Sequence, residues 1–193
     1  MSCHLQASAR GWRFYNAGMR WTLKALLVLV AGLAGCSPTL NWRDLGFEGS
    51  RLQVQLPCKP DRTTRSVQMG SVTLDLQVAG CEAGDAMLAV MTAALPAGTD
   101  ANALLQGWQQ ATLAHARAQV DRREPWSAPG LLPLPDAQQI LARAQQPDGR
   151  PVQMQAVWGA FHENGQLRLL HAVVYSAKGA AEPAQTFFES VRP

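Results

Sequence analysis

Cysteine and histidine are the residues of this 193-residue chain that could carry metal or redox chemistry, and the chain has four of each. No two of the cysteines form a C-x-x-C pair, and no Cys/His spacing matches that of zinc ligands. Cys58 and Cys81 are an even pair, which predicts a disulfide if the chain is exported to an oxidising compartment. Two buried free thiols are the alternative. Both cysteines are expected beyond the ends of strands that need not be neighbours, and bridged Cα atoms must lie within about 7 Å.

The histidines can be tested against a predicted hairpin. Asn164-Gly165 is a dipeptide that tolerates positive φ in a two-residue turn, and such a turn places His171 opposite Trp158. His162 is then four residue steps from His171 along the hairpin, or roughly 13 Å, so the two cannot share a metal ion. We expect His171 to be a packed histidine beside an aromatic ring rather than a ligand.

Sequence motifs of catalysis are missing. The chain has no G-x-S-x-G, no H-E-x-x-H, no phosphate-binding glycine loop and no paired acid motif. His115 lies near the edge of a predicted helical face without an obvious carboxylate neighbour. We therefore assign no catalytic, metal or cofactor-binding residue, and an enzyme with a site assembled from distant residues stays open. A deep pocket that groups His115 or His171 with a carboxylate would favour an enzyme, whereas a flat, loop-rimmed surface with exposed aromatics would favour a binding module.

Hydrophobic alternation predicts the strands that would position these residues. Four precede Pro96, at 51–57, 67–69, 72–78 and 86–95, and the last is nearly continuous in apolar residues, as a central strand buried on both faces would be. The segment CKPDRTTR, residues 58–65 between the first two of these strands, is predicted to be a solvated loop.

The second half of the chain predicts two helices around a meander. A helical period runs from Thr99 to Gln119 with Thr99 or Asp100 as its cap, and REPWSAPGLLPLPDA then predicts a loop that covers the core as a flap. Strands are predicted at 140–145, 152–161 and 167–176, and a last helix follows Glu182-Pro183. The predicted fold is α+β: an antiparallel sheet of about seven strands, in the order β-β-β-β-α-β-β-β-α, with two helices packed on it.

The N-terminal region has the order of an export signal. Arg20 and Lys24 precede the apolar run Ala25 to Ala34, which is far shorter than the roughly 20 residues that a membrane-spanning helix needs. Leu33-Ala34-Gly35-Cys36 resembles the lipobox of bacterial lipoprotein precursors. The resemblance implies that the Cys36 thiol is acylated and that cleavage makes Cys36 the first residue.

This resemblance divides the chain into a leader at 1–35, a tether at 36–50 and one α+β domain at 51–193. Because residues 1–18 delay the charged region, Met19 is an alternative start of translation. The leader holds four of the 17 basic residues and none of the 14 acidic ones, so the rest of the chain has a net charge of −1 rather than +3. The basic pI is thus no indication of nucleic-acid binding.

The domain itself is similar to small PsbP-like α/β/α domains. The similarity lies in RLQVQLPCKPDR near its start and in GRPVQMQAVWGAFHENGQLRLLHAVVYSAK and FFESVRP at its end. It implies an antiparallel sheet with helices on its faces and a role more often in binding or assembly than in catalysis. No ligand motif of that family can be carried across to this chain, so the similarity bears on fold more than on function.

These observations predict an envelope lipoprotein held to a membrane by lipid on Cys36. Ser37, rather than Asp, resembles lipoproteins sent to the outer membrane, which places the domain in the periplasm. We expect a binding or assembly module with an unidentified envelope partner, no cofactor and no nucleic acid. A periplasmic enzyme and a purely structural envelope protein are the alternatives.

Overall fold

Nine strands and two helices form the part of the chain that the computed structural model describes, residues 40–179 and 181–193. In chain order they are β1 Arg43–Gly46, β2 Gln53–Leu56, β3 Asp61–Met69, β4 Val72–Ala83, β5 Ala86–Ala94, α1 Ala101–His115, β6 Gln119–Pro125, β7 Gln138–Gln145, β8 Pro151–Glu163, β9 Gln166–Ser176 and α2 Ala181–Glu189. The predicted leader at 1–35, the alternative start Met19 and the lipidation site Cys36 lie outside the described residues.

Seven of the strands form one antiparallel sheet in the order β3-β4-β5-β9-β8-β7-β6, and β1 and β2 form a separate antiparallel pair. The predicted α+β fold is therefore confirmed. β5 is an inner strand of the sheet, as predicted, with β4 and β9 on its two sides, and the middle strand of the seven is β9. Its position explains its sequence, since a strand covered on both faces can be apolar at nearly every residue.

The two faces of the sheet carry separate hydrophobic cores. Leu169 and Val173 of β9 face α1, whereas Leu170 and Val174 face the layer formed by α2 and the β1–β2 pair. All four side chains are buried. Alternation along a single strand thus supplies both cores, and a layer of other elements covers each face.

Helix α1 begins where the sequence predicts and ends four residues early. The Asp100 carboxylate accepts hydrogen bonds from the amides of Asn102 and Ala103, as an N-cap does. At the other end the Ala118 amide donates to the Leu113 carbonyl at 2.9 Å, which is the bond of a Schellman motif. The chain turns there and continues into β6, so the predicted helical end at Gln119 is wrong.

Three strand segments escape prediction. Strand β1 lies within the stretch 36–50 that is predicted as a tether, and β3 begins at Asp61 inside the segment predicted as a loop. Strand β6 lies where the end of α1 and a loop are predicted. β3 and β6 are the two edges of the large sheet and are mostly exposed on both faces. Charged, unpatterned sequence is how edge strands avoid pairing with other chains, and it hides them from a search for alternation.

The proline-rich segment covers the sheet as the predicted flap. The amide of Leu132 donates to the Ala160 carbonyl at 2.8 Å, and Leu131 and Trp126 rest on Gly159. A Cβ at position 159 would lie 3.1 Å from the Leu131 side chain, so glycine allows this close approach. The flap is therefore seated at one defined point of β8.

Candidate functional site

The predicted disulfide is present. Cys58 and Cys81 are bonded with their Cα atoms 6.0 Å apart. Cys58 follows β2, but Cys81 lies within β4 rather than beyond its end, because β4 extends to Ala83. The bond thus links the β1–β2 pair to the seven-stranded sheet. It is a structural crosslink between two layers of the fold.

His171 is packed as predicted. It lies opposite Trp158, and the two rings stack with centroids 4.3 Å apart and planes 6° from parallel. Trp108 of α1 meets the same imidazole edge-on at 5.2 Å. The Nδ1–H donates to the Val157 carbonyl at 3.0 Å, and burial lowers the pKa of His171 to about 4 although this bond opposes the shift. A neutral imidazole enclosed by two indoles has no access to a substrate.

A buried ion pair near the β8–β9 turn also has a structural explanation. Glu163 and Arg168 approach to 3.6 Å, and their side chains are 3% and 8% exposed. Glu163 accepts a hydrogen bond from the Arg51 amide as well. Burial lowers the pKa of Arg168, against the opposing effect of the Glu163 charge. These contacts join the segment before β2 to the hairpin.

The feature best suited to binding is a cleft at one end of α1, which we call the α1 cleft. Its volume is about 550 Å³. It is lined by Glu82, Met87, His115, Ala116, Arg117, Gln145, Gln146, Pro147 and Tyr175. The cleft exists because α1 ends at His115 and leaves the sheet beyond it uncovered.

A row of cross-strand neighbours forms the floor of the α1 cleft. Glu82 of β4 pairs with Met87 of β5, and Met87 pairs with Tyr175 of β9. Neighbouring strands are about 4.8 Å apart, so the acidic group and the phenol are separated by about 10 Å of partly apolar surface. The Met87 side chain is 40% exposed, and it is one of only two large apolar residues among the described residues that are exposed to this extent.

A hydrogen bond holds one rim of the α1 cleft in place. The Gln145 amide donates to the Ala116 carbonyl at 2.9 Å and so ties the end of β7 to the end of α1. On the opposite face of the sheet, which the Ser176 side chain shares with Ala86 and Val174, the Asp85 carboxylate accepts from the Ser176 hydroxyl and the Lys178 amide, each at 2.9 Å. These two hydrogen bonds lower the pKa of Asp85. The side of the cleft between α1 and β7 is thus fixed by the fold.

Arg117 stands on the rim in a conformation that arginine rarely adopts. Its φ of 46° lies in the left-handed region, and it occupies the position after the helix cap that is usually glycine. A side chain there costs about 1–2 kcal/mol of backbone strain. The fold therefore keeps a cationic side chain at the mouth of the cleft where glycine would be less strained.

The chemistry available in the α1 cleft suits binding better than reaction. Burial raises the pKa of Tyr175, so its hydroxyl stays protonated and can donate a hydrogen bond. His115 and Glu82 line the same cleft, but they form no ion pair within 4.0 Å in the described structure. No group of three or more His, Cys, Asp and Glu is placed to hold a metal ion in residues 40–179 and 181–193.

Sequence reasoning brought out His115 but missed the other cleft residues. Met87 and Tyr175 are brought together by the β5–β9 pairing, which joins strands far apart in the chain. Arg117 gave no signal because its type contradicts its backbone conformation. One sign of the cleft was available: a helix that is shorter than the strands it covers must leave one end of the sheet exposed.

Comparisons with known proteins add no family assignment. No family model matches the chain, and no curated protein matches it at a significant level. Neither helix in the described ranges is long and apolar enough to cross a bilayer.

Proposed function

We propose that the chain is the precursor of a bacterial lipoprotein, acylated at Cys36 and anchored in the outer membrane with its domain in the periplasm. The observation that carries this proposal is the order of residues 20–36: positive charge, an apolar run, small residues and a cysteine. The Cys58–Cys81 disulfide agrees with an oxidising compartment. One acyl chain anchors only marginally, so the two or three chains that lipoprotein processing adds matter for stable attachment.

Within this proposal the domain is a binding or assembly module, and the α1 cleft is its recognition surface. Three features of the cleft support this assignment: a hydrogen bond ties β7 to the end of α1 at its rim, its floor exposes Met87, and its mouth carries the strained Arg117. A partly apolar floor with polar groups at fixed positions is a composition that a ligand site can have. The PsbP-like patterning of the sequence points in the same direction.

A periplasmic enzyme is a second candidate, favoured by one observation. His115 and Glu82 line a single cleft, as a composite acid–base site would require. Bound substrate would have to bring them into hydrogen-bond reach. A purely structural envelope protein is the third candidate, and loss of membrane integrity on deletion, without loss of a ligand, would favour it.

The anchoring proposal is tested by metabolic labelling with a palmitate analogue. Wild type and a Ser37→Ala control should incorporate label and fractionate with membranes, and Cys36→Ser should incorporate none. A Ser37→Asp variant should shift the labelled protein from the outer to the inner membrane. Equal labelling of Cys36→Ser and wild type would refute acylation at this residue.

The cleft is tested by placing a photo-crosslinking side chain at Met87 in the native envelope. The same side chain at the exposed Thr73, outside the cleft, serves as the matched control. We expect a discrete crosslinked product from position 87 alone. Identical patterns from both positions would rule out the α1 cleft as the recognition surface while leaving the lipid anchor untouched.

A further inference from the structure

A second pocket lies on the opposite face of the sheet from the α1 cleft, between the flap and α2. We call it the flap pocket. It has a volume of about 490 Å³ and is lined by Trp126, Ser127, Ala128, Pro129, Gln139, Gln155, Gln185, Phe188 and Glu189. Neither the proposed anchor nor the α1 cleft uses any of these residues.

Glutamine amides form the polar part of the flap pocket. Gln139 of β7 pairs with Val157 and Gln155 of β8 pairs with Leu141, so the two glutamines are diagonal neighbours, about 7–8 Å apart, on one face of the sheet. Both are half-buried, and no hydrogen bond joins either side chain to another described residue. Each amide presents donors and an acceptor, which matches hydroxyl groups that both donate and accept.

An aromatic wall stands beside these amides. The Trp126 amide donates to the Ala137 carbonyl at 2.9 Å, and the indole ring rests on Gly159, with its nearest atom 3.3 Å from where a Cβ would be. Trp126 is half-buried and so retains exposed ring surface. An aromatic face of this kind takes up flat apolar surface such as the C–H face of a pyranose ring.

The charge of the flap pocket selects against anions. Its lining contains no lysine, arginine or histidine. Its one acidic residue, Glu189, accepts a hydrogen bond from Gln185 at 2.8 Å. A phosphate, a carboxylate or nucleic acid would find no cation here, whereas a neutral ligand incurs no such loss.

We infer that the flap pocket binds a neutral saccharide. The ring of one sugar unit stacks on Trp126, and its hydroxyl groups exchange hydrogen bonds with Gln139 and Gln155. This site is independent of the recognition surface proposed above, because the two pockets open on opposite faces of the sheet. The domain thus has the means to hold a glycan on one face while the other face engages a partner.

The test uses the full chain in a detergent without a sugar headgroup, because maltoside or glucoside detergents would compete. The probes are cellotetraose and N-acetylchitotetraose, in which an acetamido group replaces each 2-hydroxyl. Mannitol serves as a polyol that lacks a ring face. Binding is followed by nuclear magnetic resonance of the indole and glutamine side-chain N–H groups. We expect saturable shifts at Trp126, Gln139 and Gln155 with at least one oligosaccharide, and none with mannitol.

Variants separate binding from folding. Trp126→Ala should weaken binding by about tenfold or more, and Trp126→Phe should weaken it less because stacking is partly retained. Gln155→Leu should weaken it about tenfold while the melting temperature stays near that of wild type, and Gln119→Leu on the exposed edge strand is the matched control. Three results would overturn the inference: no saturable shift with either oligosaccharide, mannitol binding as well as the sugars, or undiminished binding by folded Trp126→Ala and Gln155→Leu.

Discussion

Mild acid should destabilise this protein through His171. The imidazole is 1% exposed, and its pKa falls from 6.5 to about 4 because burial disfavours the charged form. At pH values between these two pKa values, His171 is protonated in the unfolded chain but neutral in the folded chain. The contribution of His171 to the free energy of unfolding is therefore fully present above pH 6.5 and decreases as the pH falls toward 4. By linkage, the loss is about 2.5 kcal/mol at about pH 4.5 and about 3 kcal/mol at pH 4.

Urea unfolding at about pH 7.5, 6.5, 5.5 and 4.5 measures this effect. The test variant is His171→Gln, whose amide can still donate to the Val157 carbonyl but cannot titrate. Wild type should lose about 2.5 kcal/mol more than His171→Gln over this range, even though the variant is less stable at neutral pH. His115→Gln, at an exposed histidine, should keep the wild-type pH dependence.

Parallel pH curves for wild type and His171→Gln would refute this reasoning. The neighbours of His171 leave little room for another explanation, since Trp108 and Trp158 enclose the ring and its cross-strand partner on β5 is Met91. Carboxylates with lowered pKa, such as Asp85, lose their contribution only below their ordinary value of 3.8 and thus below the measured range.

Two further predictions concern single features of the fold. Replacing Cys58 and Cys81 together by alanine should lower the free energy of unfolding, measured in urea, by about 3 kcal/mol, because the chain-entropy model gives about this value for a 23-residue separation. A loss of less than about 1 kcal/mol would show that the disulfide restricts the unfolded chain only slightly. Arg117→Gly should raise the free energy of unfolding by about 1 kcal/mol because glycine relieves the left-handed strain; a destabilised variant would mean that the arginine side chain itself holds the helix end.

Local chemistry accounts for the parts of the fold that could be predicted. The Asn164-Gly165 turn fixed the register of β8 and β9, because a two-residue turn leaves the flanking strands one pairing, and the structure has His171 opposite Trp158 as a result. A cap at Thr99 or Asp100 and a flap after β6 were predicted on equally local grounds, and the structure has the cap at Asp100. Each depends on residues close together in the chain.

What could not be predicted depends on distant partners or on edges. β9 became the centre of the sheet because β5 pairs with it across the intervening α1, β6, β7 and β8, and no periodicity records such a pairing. Edge strands β3 and β6 lack the alternation that a buried face imposes. The floor of the α1 cleft depends on this long-range pairing of β5 with β9, so the sequence gives no sign that Met87 and Tyr175 are neighbours.

A mismatch of lengths explains why the α1 cleft lies at a helix end. Helix α1 has 15 residues and is about 22 Å long, whereas the 13 residues of β8 extend for about 43 Å. A single helix of this size cannot cover strands of that length. Sheet surface therefore stays open beyond His115, and apolar residues at that end, such as Met87, remain partly exposed. The helix stops just before the strained Arg117, which lines the α1 cleft together with Met87, so the early end of α1 places the cleft at this end of the sheet.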